Sequence, residues 1–307
     1  SLWRAGMPGR EDLDVYLIGH DGYYDREGIY VDPETGHGYP DEVERYALFS
    51  RAVLEAAVAL GLRPDVLHLN DHHTAMAAVY LRRFYGDEPG LGGAGVVFTI
   101  HNLGYLGQFG KERLPGLSLP ETLCVPGSPF EYNGTVSTLK LGIEVADYVN
   151  TVSERYAEEI ASAPEFGLGL EGVLAEKRRA GRLLGILNGV DYTVWDPSTD
   201  ELLPARYSRA DMSGKTLCRS RLLEKSGLPD SPDVPLIGMI SRLADQKGFD
   251  LLREGAEDIL RMGASIVVLG TGQPEYHEFL RGLAEAHPDR VAAHLTFDNA
   301  LAHLIEA

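Results

Sequence analysis

Short apolar runs recur along the chain, each separated from the next by a longer amphipathic or polar stretch, and this alternation restricts the fold to parallel sheets built from strand–helix–strand units. A first set of strands is expected at 15–18, 66–69, 96–100, 148–151 and 184–187, and a second at 236–240, 266–269 and 291–295. Ahead of the second run, Val43, Ala47, Val53, Leu54, Ala57 and Leu60 keep an approximately helical spacing, with Asp41 as the expected N-cap after Pro40. From 191 to 235 the alternation breaks at Trp195-Asp196-Pro197, Leu203-Pro204 and Ser231-Pro232, around one expected helix at 215–225. The boundary therefore falls just before it, giving domains 1–190 and 191–307; 307 residues suffice for two cores.

The charge narrows the partners. With 46 acidic against 28 basic residues the net charge is −18, which argues against nucleic acid or an anionic membrane and favours a neutral polymer or a small metabolite. Cys124 and Cys218 lack the spacing of a disulfide framework or a zinc site, so no metal is expected and a reducing cytoplasm is the expected setting. No run of about 18 apolar residues suggests a membrane span. A first residue other than Met, and a last segment inside an apparent helix at 301–307, suggest a fragment cut at both ends.

Chemistry concentrates where strands end. The stretch from Leu236 to Asp250 runs from an apolar strand through Ser241-Arg242-Leu243-Ala244-Asp245-Gln246-Lys247-Gly248 into a helix. Such a loop lies at the carboxyl edge of a parallel sheet, beside a helix N-terminus that favours anions. Arg242 adds a planar fork for phosphate oxygens and Lys247 a mobile point charge, which reads as a diphosphate site; two solvated loop cations are the alternative. In Asp65-Val66-Leu67-His68-Leu69-Asn70-Asp71-His72-His73-Thr74, His68 is expected to pack in the core, whereas one of His72 and His73, beyond the strand end, faces substrate. Adjacent histidines do not readily share one metal on regular structure.

Similar edges follow at His101-Asn102-Leu103-Gly104-Tyr105 and at Leu187-Asn188-Gly189, where Gly189 makes a tight turn and Asn188 can serve both turn and site. In Leu269-Gly270-Thr271-Gly272 the two glycines are expected to let backbone approach a nucleotide, although the third glycine of the dinucleotide fingerprint is missing. The loop from Tyr23 to Tyr30 offers aromatic faces suited to sugar rings, or a surface loop anchored by tyrosine packing. No carboxylate pair is placed as in a glycosidase.

Taken in order, these segments resemble the bacterial glycogen synthase and plant starch synthase family, glucosyltransferases that use ADP-glucose. The resemblance runs through Tyr24-Asp25-Arg26, Asn70-Asp71-His72-His73, Phe98-Thr99-Ile100-His101-Asn102-Leu103, Val152-Ser153-Glu154-Arg155, Gly169-Leu170-Glu171-Gly172, Leu187-Asn188-Gly189-Val190-Asp191 and Ser241 to Gly248. It implies an α/β fold of two facing Rossmann-like domains, the GT-B type, with the acceptor-side domain at 1–190 and the nucleotide-sugar domain at 191–307. It also implies cofactor-free, metal-independent transfer of glucose, with retention, from ADP-glucose to an α-1,4-glucan. By position, His73 binds the transferred glucose, Arg242 and Lys247 hold the donor diphosphate, and Asn188 lies beside the glucose. Tyr24 falls near the sugar and acceptor path, Asn102 among the substrate-binding residues, and Gly270 and Gly272 near the nucleotide.

The chain departs from the family at Asn70 and His72, which stand in place of a His and a Trp. The family's Lys-Thr-Gly-Gly loop and Glu-Pro-Cys-Gly segment are absent from the 307 residues, as expected of a fragment. The alternatives are a related glycosyltransferase using another nucleotide sugar and a glucan-binding protein without catalysis.

Overall fold

A computed structural model describes residues 1–29, 32, 35 and 37–307, which form two compact units, Ser1–Asn188 and Gly189–Ala307. Unit 1 opens with β1 (Leu2–Met7) and β2 (Arg10–Ile18), an antiparallel hairpin with Leu2 opposite Ile18. The strand expected at 15–18 thus belongs to this hairpin rather than to the parallel sheet. Its pairing is local, through a turn at Pro8 and Gly9, and most of its side chains are exposed, including the Arg4–Asp14 ion pair at 2.7 Å.

A short helix α1 (Asp21–Tyr24) leads toward the long α2 (Glu42–Ala59), which buries Arg45, Ala47, Ser50, Leu54 and Ala57. Asp41 does occupy the N-cap of α2, but its side chain makes no capping bond. The Arg26 guanidinium takes both its oxygens at 2.9 Å and holds its carboxyl below the usual carboxylate range.

The sheet of unit 1 has the order β3 (Val66–Asn70), β4 (Gly95–Ile100), β7 (Tyr148–Thr151), β8 (Leu183–Gly185), all parallel. Between these strands lie α3 (Asp71–Phe84), the small antiparallel pair β5 (Gln108–Phe109) and β6 (Val136–Ser137), α4 (Thr138–Val145), α5 (Glu154–Ser162), α6 (Pro164–Gly167) and α7 (Glu171–Arg179). Leu54, Leu69, Met76, Phe98 and Leu139 meet in one core where these helices cover the sheet. The strand expected at 184–187 starts at Leu183 and ends at Gly185, leaving Leu187 exposed.

His68 corrects a second expectation. Strand alternation sends Leu69 into the core and His68 to the opposite face of the edge strand β3, where it is exposed. There its Nε2 lies 2.7 Å from Thr99 Oγ1, which donates to Asn150 Oδ1 at 2.7 Å.

Unit 2 contains α8 (Ser213–Lys225), β9 (Leu236–Ile240), α9 (Phe249–Arg261), β10 (Ser265–Leu269), α10 (Pro274–Ala286), β11 (Val291–His294) and α11 (Asn299–Glu306). Its parallel sheet has the order β11-β10-β9, so β10 is central, and all five of its residues are buried. Ile266 and Val268 pack with Phe249, Leu252 and Tyr276 from α9 and α10, while Val267 and Leu269 pack with Leu222, Leu301 and Leu304 from α8 and α11. Strands covered on both faces read as continuous apolar runs, which is how β10 stands out in the sequence. The irregular segment after Gly189 is pinned to α11 by His303, whose Nδ1 lies 2.7 Å from Asp200 Oδ2 and whose ring stacks on Trp195. Among the described residues, no helix is long and apolar enough to cross a membrane.

Candidate functional site

Because the strands of the four-stranded and the three-stranded sheets are parallel, the loops that follow them leave from one edge of each. In unit 1, β3 passes into α3 without a spacer, and the turn is made by Asp71 at φ 56°, a left-handed conformation that costs a non-glycine residue about 1 kcal/mol or more. Several bonds hold it there. Asp71 Oδ1 accepts the His101 backbone N–H at 2.8 Å, His101 Nε2 lies 3.0 Å from Asn70 Oδ1, and the Thr74 hydroxyl donates to the Asn70 carbonyl at 2.9 Å. The tight junction places His72 and His73 in the first turn of α3, beside the end of β4.

The two imidazoles lie 3.8 Å apart between centroids, and the Tyr46 ring stands edge-on to both, at 5.7 Å from His72 and 4.6 Å from His73. Burial, with His73 adding to it, pushes His72 down to about 3. Burial also holds His73 below the ordinary histidine value; the Arg45 charge acts in the same direction and Asp71 opposes it. At neutral pH both rings are uncharged, each with one N–H donor and one acceptor nitrogen, a set suited to sugar hydroxyls.

His73 and Tyr24, two of the expected site residues, line one cavity of about 420 Å³ together with Arg26, Arg45 and Tyr46. Tyr24 is held by its hydroxyl, which donates to the Arg45 carbonyl at 3.3 Å. Tyr30, at the end of the expected aromatic loop, lies outside the described residues. Tyr46 also borders a neighbouring cavity of about 250 Å³ with Glu42, His72, Tyr105 and Gln108. Asn102 stands on the loop after β4, where its Oδ1 accepts the Gly104 N–H at 2.9 Å and so shapes the turn. Asn188 is exposed, three residues beyond β8. Arg45 and Tyr46 were not legible as site residues: they fall in the first turns of a helix whose apolar spacing carries no sign that a cation is buried there.

In unit 2 the expected cations sit on a loop with a fixed base. Leu243 is fully buried, its N–H donates to the Thr271 carbonyl at 2.9 Å, and its own carbonyl accepts the Gln273 N–H at 2.8 Å. A single 3-10 turn, Asp245–Lys247, follows, and α9 begins at Phe249. Asp245 accepts the Tyr276 hydroxyl, and this bond, with burial, pushes the phenol up to about 12. Arg242 and Lys247 are both exposed on this loop, before the N-terminus of a 13-residue helix. Two cations flanking a helix start can neutralise a diphosphate.

Gly270 and Gly272 serve a nearer purpose than the one expected. A Cβ at Gly270 would stand 1.9 Å from the Ser241 carbonyl oxygen, and one at Gly272 would stand 2.2 Å from that of Leu243. What the glycines admit is the cation loop's own backbone, and the Gly272 N–H is already donated to His277 Nε2 at 3.1 Å. Gly272→Ala is expected to lower stability by about 3 kcal/mol, because backbone rather than a flexible side chain must move. Urea unfolding checks this, and an unchanged midpoint would refute the close approach.

The family description "Starch synthase catalytic domain" matches residues 3–176. The chain is 46% identical over 308 residues to a glycogen synthase of Anaeromyxobacter sp. (strain Fw109-5), covering all of this chain and 62% of that protein. It is 43% identical to a glycogen synthase of Koribacter versatilis, over 97% of this chain and 60% of the relative. Among solved structures, the catalytic domain of starch synthase IV from Arabidopsis thaliana, bound to ADP and acarbose, superposes with a TM-score of 0.86 at 31% identity, over 99% of this chain and 61% of that one. The chain thus spans about three-fifths of the length of the curated relatives it matches.

Proposed function

The chain belongs to the starch synthase catalytic-domain family, and from that premise we propose that the protein carrying it is a glycogen or starch synthase. It transfers glucose, with retention, from ADP-glucose to the non-reducing end of an α-1,4-glucan, in the cytoplasm and without a cofactor or divalent ion. The observation that carries this reading is the loop of unit 2, where Arg242 and Lys247 flank the approach to α9 on a base fixed by Leu243 and Asp245. The ADP held by the Arabidopsis catalytic domain supports ADP-glucose as the donor.

In this reading the units bind different parts of the reactants, with residues 1–190 on the acceptor side and 191–307 on the nucleotide side. The bond from the glucose anomeric carbon to the diphosphate breaks as a bond to the acceptor hydroxyl oxygen forms, and the hydroxyl proton passes to the departing diphosphate. Arg242 and Lys247 stabilise the charge that develops on the departing diphosphate, a preorganised electrostatic contribution of the kind that commonly dominates such catalysis. Neutral His73 and Asn188 orient the glucose, Tyr24 and Asn102 line the sugar path, and Gly270 and Gly272 hold the cation loop in register with the nucleotide. Asn70 and His72 stand where the family has His and Trp, so position 72 offers an imidazole in place of an indole.

Protection from proteolysis separates this proposal from a relative that uses another nucleotide sugar. ADP-glucose is expected to protect the loop at 241–248 at concentrations where UDP-glucose does not. Stronger protection by UDP-glucose would overturn the donor assignment, and protection by glucan alone would indicate a non-catalytic binder.

A further inference from the structure

We propose that Arg45, through the Tyr46 ring that it holds, is a positioning residue that fixes the His73 ring for the glucose; this rests on the reading of His73 as the glucose-binding histidine. Arg45 is only 4% exposed, although it lies in the first turn of a helix where a long cation ordinarily reaches solvent. One Nη donates to the Tyr46 hydroxyl at 2.6 Å and to the Ile29 carbonyl at 3.1 Å. The guanidinium carbon lies 4.6 Å from the Tyr46 ring centroid and 5.6 Å from that of Tyr39. Its Nε is buried with no hydrogen-bond partner among the described residues. A buried guanidinium with an unsatisfied N–H is an expensive way to anchor a helix, so its neighbours are informative.

The tyrosine it grips is the one whose ring stands edge-on to His73, and Arg45 and His73 line the same cavity. Among the described residues, a direction can be assigned to each of the following groups near His73. From α3, Asp71 favours the charged ring and His72 is uncharged at neutral pH. From α2, Arg45 opposes the charged ring, while Glu42, 3.7 Å from Arg45, has its carboxyl pushed up by burial. From the segment after β2, Tyr24 is uncharged, and Arg26 is engaged by Asp41. Arg45 is thus the cation in this set acting directly on His73, and it also holds the aromatic wall against that ring. A protonated His73 would have two donors and no acceptor, so the sugar hydroxyl set it can satisfy would change.

The test is the pH dependence of kcat/KM for glucosyl transfer by the full-length protein, in wild type and in Arg45→Met, Arg45→Lys, Tyr46→Phe and His73→Ala. Activity that needs neutral His73 falls as pH drops through the His73 pKa. Removing the cation raises that pKa, so Arg45→Met is expected to move the acid limb to higher pH. Arg45→Lys, which keeps the charge, is expected to leave the limb in place. Tyr46→Phe keeps the ring and loses its anchor, so kcat is expected to fall about tenfold with the limb unmoved. An unshifted limb in Arg45→Met, or equal shifts in Arg45→Met and Arg45→Lys, would overturn the proposal. If Arg45→Met does not fold, a wild-type kcat in Tyr46→Phe would overturn it instead. His73→Ala reports on the underlying reading: full activity there would remove the role of His73 itself, whereas a large loss with no effect at Arg45 and Tyr46 would leave His73 in place and refute only the positioning role.

Discussion

His73→Ala is expected to lower kcat of the full-length enzyme by about 10² or more, while His68→Ala changes it less than about twofold. The two histidines are five residues apart and meet different surroundings. His73 lines the cavity with Tyr24 and Arg45, on the turn held by Asp71 and Thr74. His68 is exposed on the far face of β3, and its loss removes one hydrogen bond to Thr99, a contribution of about 1 kcal/mol to stability. Steady-state kinetics with thermal melts of both variants separates the cases. Comparable kcat losses at the two positions would show that the effect travels through folding.

A larger effect is expected from the cations of unit 2. Replacing both Arg242 and Lys247 by Ala should lower kcat by about 10³ or more if, as proposed, both charges act where the leaving diphosphate develops its own. Both side chains are exposed on a loop whose base is set by Leu243, Gly270 and Gly272, so the folded state should be nearly unaffected. Arg242→Lys is expected to recover only part of the rate, because a point charge does not reproduce the guanidinium fork. If the double variant raised KM and left kcat untouched, the cations would contribute ground-state binding only.

Much of this architecture was legible because the parallel strands carry it in continuous apolar runs. The expected strand at 148–151 coincides with β7, and that at 236–240 with β9. The hairpin of β1 and β2 escaped because most of its residues are exposed, so no buried stripe marks it. His68 departs from expectation for the opposite reason: its apolar neighbours suggest a core, whereas the period of two puts it on the other face. Strand ends point to the His72-His73 pair, the Tyr23 to Tyr30 loop and the cation loop, and the resemblance singles out His73 and Tyr24 among them. Arg45 and Tyr46 were invisible, since nothing local distinguishes a helix cation that will be buried against a histidine from one that will meet water. The glycines after β10 were identified as sites of close approach, but the partner is the chain's own loop, a tertiary fact that the Gly-x-Gly spacing does not encode.

Glucosyl transfer from ADP-glucose, with the diphosphate neutralised by protein cations alone, stands or falls on one assay. Full-length enzyme is incubated with radiolabelled ADP-glucose and glycogen in the presence of EDTA, and the product is digested with an exo-acting α-1,4-glucanase. Label is expected at non-reducing ends, released by the digestion, at a rate that EDTA leaves unchanged. Loss of incorporation on chelation with recovery on adding magnesium, or label in a linkage that resists the glucanase, would contradict it.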